Sequence, residues 1–471
     1  MTASPLPPSR SEPAPLGDRP ASALDYQPLP APPPAPQWPG AVAWIVILAA
    51  AGFMIVSNLG REAAESPRAT GALGEQLVLS AKYGIGLRQI LPTAPSGAIV
   101  QQLEALAQTD ANRLHAAIAA AELQGVDQAM KLLDPLLSRP AADDQLRQDA
   151  ALVARIYRDG PGVLDDDARQ KLIDRHGFFG RLALSYNQPE TDPLRARVLA
   201  ESRRVALSLI GFGAVALLLG GAGLVLLIVA IVLYLNGLLQ PLYVRQPAAG
   251  TVYLEMFAVY LLAHIGISYL LHMALGGGGQ KISLGWNWAV AAALPITIGY
   301  GLLRNRPWQE IRYALGWHAG RGWLIEAPLG IVGYIAGLPL IVLGFGVTYV
   351  LIRLTGVTPS HPIQGEASGP AAQILLLYSI ASLMAPVVEE TMFRGALFHH
   401  LRQRHGWALS AVVVAILFAA IHPQGWATIP VLACIAIVLA GIREWRSSII
   451  APAVAHAFNN AMVVTLLVLI K

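Results

Sequence analysis

Seven stretches of this chain are each apolar over roughly 18 residues or more, the length a helix needs to cross a hydrocarbon core. They run from Ala41 to Leu59, Ala206 to Leu235, Val252 to Leu271, Trp286 to Leu303, Trp323 to Leu351, Ala371 to Met392 and Ile449 to Leu469. Two more, Ala408 to Ile421 and Ala427 to Gly441, are shorter; about 15 residues of helix rise only roughly 22 Å. An ordinary soluble globule does not accommodate so many continuous apolar runs, and at 13% charged residues this chain is not composed like one. The expected fold class is all-α: a polytopic helical membrane protein of about nine membrane segments, two of them short, carrying an inserted soluble α-helical domain.

The text between the apolar runs divides the chain. Residues 1–38 are dense in Pro, Ala and Ser, with PLPAPPPAP from Pro28 to Pro36; such a tail favours extended polyproline II and lacks the apolar side chains to fold. After the first membrane helix, 41–59, residues 61–204 turn to short amphipathic segments: Ala98 to Leu106, Ala111 to Leu123, Asp127 to Leu137, Asp144 to Tyr157 and Asp165 to His176. Helical spacing with Gly or Pro near the ends predicts stacked helical hairpins, loosely like a tetratricopeptide array but without a clean repeat period. This domain is either a recruitment surface for a protein partner or a simple insertion. Residues 205–322 return to membrane helices with a basic loop, and 323–471 form the last block. The net charge is only +4 and the single cysteine is Cys434, so no nucleic-acid partner, disulfide framework or cysteine metal site is expected.

Charge placement predicts orientation. Arg304, Arg306, Arg312 and Arg321 fill one loop, Arg402 and Arg404 a second, and Arg443 and Arg446 a third, whereas the loops around Thr358 to Ser368 and Pro423 to Trp426 hold no Lys or Arg. Under the positive-inside rule the N-terminus is cytoplasmic, residues 61–204 lie outside and nine helices leave Lys471 outside. Arg195, Arg197, Arg203 and Arg204 flank the second helix on its outer side, against the rule, which long translocated domains obey poorly.

The chemistry-bearing residues sit inside the apolar runs, where an isolated charge costs a few kcal/mol. In APVVEETMFRG, Ala385 to Gly395, Glu389 and Glu390 point about 100° apart on a helix and cannot share one role. Glu390 pairs at i,i+4 with Arg394; Glu389 has no local cation and is a candidate general base. The short helix from Ala408 ends at FAAIHPQG, with Phe418 and His422 on one face, and the last helix carries AHAFNNA, with His456 and Asn460 at i,i+4. Counted from the basic loops at 1.5 Å per residue, Glu389, His422, His456 and Asn460 all lie roughly 15 to 24 Å deep. Four polar groups from three helices at one depth are either a functional site or a structural polar network.

EETMFR, FAAIH and HAFNN resemble the EExxxR, FxxxH and HxxxN motifs of the CPBP family, the intramembrane CAAX-type and bacteriocin-processing (Abi-like) proteases. The resemblance covers roughly Gly330 to Leu469 and implies hydrolysis of peptide bonds in membrane-associated protein or peptide substrates. By that resemblance, Glu389 and His422 activate a water, His456 and Asn460 stabilise the oxyanion, and Glu390, Arg394 and Phe418 support them. A Zn2+ held by Glu389, His422 and His456 and a metal-free glutamate mechanism are both open: the ligand types suit zinc, but no HExxH spacing is present. The alternatives are a transporter with an intramembrane proton relay and a non-enzymatic immunity or scaffold protein. The expected location is integral and multi-pass, in the plasma membrane of a bacterium.

Overall fold

The computed structural model describes residues 38–65, 69–138, 144–246, 250–275, 284–357, 367 and 369–470. The Pro-rich segment 1–37 and most of the loop 358–368, which holds no Lys or Arg, lie outside the described residues. Every regular element among the described residues is helical. Helix α1 (Trp38–Glu65) leads to the helical unit, α2 (Ala69–Ile90), α3 (Gly97–Leu106), α4 (Asp110–Gln124), α5 (Val126–Ser138), α6 (Asp144–Asp159), α7 (Asp166–His176) and α8 (Phe178–Leu184). Then follow α9 (Pro193–Leu235), α10 (Val252–Leu275), α11 (Ala293–Leu303), α12 (Trp308–Ala314), α13 (Trp323–Thr355), α14 (Ala371–Arg402), α15 (Trp407–Ile421), α16 (Ile429–Arg446) and α17 (Ile450–Leu469).

Seven of these helices are long and apolar enough to cross a membrane, and Asn287–Leu303 and α15 are shorter apolar helices. The protein is an integral, multi-pass membrane protein. The identity of the short pair differs from the sequence reading in one member. Ala427–Gly441 grows at both ends into a span of 21 residues, Trp426–Arg446. Its basic residues are helical and buried, not in a loop. Arg443 donates to the carbonyls of Ala314 and Arg394, and Arg446 forms a two-pronged ion pair with Glu326, both bonds at 2.8 Å; a guanidinium paired in that way can end an apolar helix without reaching water. Conversely, the run from Trp286 is split: a 3-10 stretch over Leu284–Ala292 precedes only 11 residues of α-helix. Apolarity alone does not distinguish a full span from two half-length pieces.

Within the helical unit the segments read from the sequence form helices with nearly the expected bounds, capped by Thr109, whose hydroxyl accepts from the Asn112 N–H, and by Asp165, which accepts from Ala168. Leu77, Leu103, Leu114, Leu133, Val153, Leu172 and Phe179 share one core. The boundary read at 204/205 is not a break. α9 is one helix of 43 residues, beginning at the Asp192 cap and running on into the membrane, because nothing from Glu201 to Leu209 stops a helix. Its first turns belong to the helical unit, where a Cβ on Gly86 would lie 2.1 Å from the Ser202 carbonyl oxygen.

α14 occupies the centre of the membrane block. Met392, Phe393, Ala396, Leu397 and Phe398 are almost fully buried and share a core with α1, α10, α15 and α16. α13 closes the block through small residues: a Cβ on Gly330 would strike the Ala451 carbonyl at 2.2 Å, and Cβ atoms on Gly337 and Gly344 would meet Val438 and Cys434. The basic positions converge on one end. Arg402 pairs with Glu444 at 2.7 Å, the Tyr243 N–H donates to the Glu444 carbonyl, and Ser448 donates to the carbonyl of His318.

Candidate active site

Three helices bring the motif residues together. α14 is α-helical over Ala385–Glu390 but π-helical before and after, at Ile380–Met384 and Thr391–Leu397. Such bulges recur at functional sites because they re-aim side chains and free backbone carbonyls. Glu390 and Arg394 are wholly buried and joined at 2.8 Å. Glu389 turns the other way, its side chain 24% exposed, into a cleft that also receives His422 and His456.

α15 delivers His422 at its C-terminus. The ring lies tilted against Phe418, one turn earlier, with centroids 4.1 Å apart, and its Nδ1–H donates to the Phe418 carbonyl, an orphan at the helix end. Phe418 also faces Phe393 at 5.1 Å and takes the Arg394 guanidinium over its ring at 4.7 Å. One aromatic ring thus joins the EExxxR and FxxxH segments. Asn58, near the end of α1, donates to the carbonyls of Ile421 and His422. Because Asn58 lies 20 residues from Trp38, about 30 Å of helix, the site lies away from the basic end of the membrane block.

α17 delivers His456 and Asn460. His456 Nδ1 is 2.9 Å from Glu390 Oε1, so the buried Glu390 carboxylate serves Arg394 and His456 at once. Asn460 Nδ2 donates at 2.7 Å to the carbonyl of Ala381, in the first π turn, while its Oδ1 accepts from Asn459, whose own Oδ1 accepts from Tyr334.

Partners fix the tautomers. A carbonyl and a carboxylate only accept, so Nδ1 carries the proton in both histidines. Their Nε2 atoms lie 3.8 Å (His422) and 3.9 Å (His456) from Glu389 Oε2, which has no hydrogen-bond partner. Glu389 Oε2 and the two Nε2 atoms therefore face a common space, each Nε2 an acceptor in the neutral ring and a donor in the ring protonated on both nitrogens. The donor types and their partners are those of a zinc site, but a tetrahedral zinc at its usual bond lengths sets ligand atoms about 3.3 Å apart. No group of three or more His, Cys, Asp or Glu side chains among the described residues is placed to hold a metal ion. The spacing suits a water that donates to Glu389 Oε2 and His422 Nε2 and, where His456 carries a proton on both nitrogens, accepts from its Nε2–H.

Sequence reasoning missed Asn58, Tyr334, Asn459 and the Glu390–His456 bond. Only Asn459 left a signal, as the first of the two amides in HAFNN.

Residues 371–462 match the family model described as type II CAAX prenyl endopeptidase Rce1-like. That match is narrower than the span from Gly330 to Leu469 and contains all seven motif residues. A protein of Escherichia coli described as an uncharacterized 24.3 kDa protein is 33% identical over 113 residues, covering 22% of this chain and 51% of that relative. The chain thus spans about half the length of this curated relative. No solved structure matches the chain.

Proposed function

We propose that this chain, whose residues 371–462 belong to the CPBP family of intramembrane proteases, is an endopeptidase that hydrolyses peptide bonds of membrane-associated proteins or peptides. The observation that carries the proposal is the convergence of Glu389 Oε2 with the Nε2 atoms of His422 and His456 at 3.8 and 3.9 Å. Peptide hydrolysis needs a positioned water, a base to take its proton and donors for the oxyanion.

In this reading a water in the cleft gives a proton to Glu389 as it attacks the scissile carbonyl, with His422 accepting its second hydrogen bond. His456, in the form that bears a proton on both nitrogens, is anchored by Glu390 through Nδ1–H and turns Nε2–H toward the developing oxyanion. Asn460 supplies its remaining amide hydrogen. Collapse of the tetrahedral intermediate breaks the C–N bond, and the proton held by Glu389 passes to the leaving amine. Arg394 holds the Glu390 carboxylate in place through their buried pair, and Phe418 fixes the His422 ring. No step requires a metal.

We place the protein in the plasma membrane of a bacterium, with the basic end of the bundle in the cytoplasm, residues 61–204 outside and a protein partner or the substrate engaging that unit. The test is cleavage of single-span and C-terminally farnesylated peptides by the full chain in lipid nanodiscs, followed by mass spectrometry. Proton-coupled transport without cleavage would mark a transporter, and peptide binding without cleavage a scaffold.

A further inference from the structure

α10 lies outside the segment that matches the family, yet it packs against α14, the helix that carries Glu389. Tyr253, Phe257, Tyr260 and His264 recur at four, three and four residues, one stripe of a helix. Two ring contacts set its register on α14: Tyr253 lies 4.8 Å from His399, and Phe257 lies 5.0 Å from Phe393. The helices run antiparallel, so moving up α10 moves down the numbering of α14. Seven residues beyond Phe257 is His264, and the matching step from Phe393 reaches about Pro386. Glu389 therefore stands opposite the interval between Tyr260 and His264. The Tyr260 and His264 rings neighbour each other at 5.9 Å.

His264 Nδ1 is buried without a hydrogen-bond partner, as is Glu389 Oε2. A buried donor or acceptor left unpaired is a standing cost that a packing role does not explain. An extended peptide entering the membrane interior brings the complementary need, since its backbone N–H and C=O groups have no water to bond.

We infer that His264 is a substrate-contact residue, whose Nδ1 hydrogen-bonds the backbone of an extended peptide across the cleft from His422 and His456. The inference rests on the proposed peptidase reading. It assigns α10, by its register opposite Glu389, to the substrate-binding wall.

The experiment uses the full chain in nanodiscs and a farnesylated peptide ending in a Cys-aliphatic-aliphatic-X sequence. His264→Phe keeps the ring and its packing but removes the nitrogen; His264→Asn keeps a polar atom near the Nδ1 position. His264→Phe should raise KM about tenfold, the worth of one hydrogen bond, with kcat little changed, and His264→Asn should recover most of the loss. An unchanged KM in His264→Phe overturns the inference while leaving the peptidase reading intact. A second arm does not depend on turnover. In a Cys434→Ser background, His264→Cys should react with N-ethylmaleimide, and the same peptide should slow that reaction several-fold. If wild type fails to cleave, the peptidase reading fails, and this protection decides the His264 contact alone. Absence of reaction, or reaction that the peptide does not slow, overturns it.

Discussion

His456 is held by Glu390: the imidazole Nδ1 lies 2.9 Å from the carboxylate oxygen that also receives Arg394 at 2.8 Å. The two glutamates of one dipeptide are thereby separated in role, Glu389 facing the cleft and Glu390 tying α14 to α17 from within the core.

Glu390→Gln should therefore damage both stability and turnover. The change strands Arg394 as a buried guanidinium and withdraws the anion from His456; breaking a buried pair costs about 3 to 5 kcal/mol. Thermal unfolding of the purified protein should show a large drop in midpoint, with turnover reduced even at temperatures where the variant stays folded. An unchanged midpoint would mean that the pair contributes nothing to holding α14 and α17 together.

Asn460→Ala separates catalysis from packing. Removal of one oxyanion donor costs roughly 2.7 to 4 kcal/mol, a hundredfold or more in kcat, with little effect on KM. A kcat that does not move would leave Asn460 only its bond to Ala381, a tie between α17 and the π turn.

The motif residues were legible in the sequence because each pair sits at i,i+4 in an apolar run, where a polar residue demands a reason. The Glu390–His456 bond joins residues 66 apart, which no local spacing announces. Arg443 and Arg446 resembled loop residues for the same cause, because the Glu326 carboxylate that lets Arg446 stay in a helix lies 120 residues away. The composition changes from amphipathic to apolar near residue 204, but one continuous helix carries both. The backbone of α9 does not register that change. His264 is hidden differently, as one of several polar residues in a largely apolar run, with no motif beside it.

In the helical unit, His115 stacks on Phe179 at 4.4 Å and lies 3.1 Å from His176, which in turn reaches Asp149 at 3.0 Å. Burial, and then the neighbouring His176, push the His115 pKa down from 6.5 to about 4. The unfolded chain takes up this proton as pH falls below its ordinary value, and the folded chain does not. The stability contribution is thus fully present above about pH 6.5 and is lost as pH falls toward 4, an effect on the order of 3 kcal/mol. Thermal unfolding of the full chain in detergent should weaken across that window, and His115→Gln should flatten the dependence. Identical pH profiles would show that His115 titrates normally in the fold.

Orientation is testable in intact cells. In a Cys434→Ser background, a cysteine near Gly125 should react with an impermeant maleimide and one near Arg312 should not, as the proposed orientation with the basic end in the cytoplasm requires. The reverse pattern would invert the topology.

The central claim is that Glu389 activates the water, without a metal. Its most direct test is the rate of peptide cleavage by purified wild type and Glu389→Gln in nanodiscs, with metal content measured by elemental analysis on the same samples. The account predicts a wild type that cleaves with substoichiometric metal and is insensitive to chelators, beside a Glu389→Gln variant that is folded, equally abundant and inactive. Equal rates in the two proteins would contradict it, as would stoichiometric zinc whose removal abolishes cleavage.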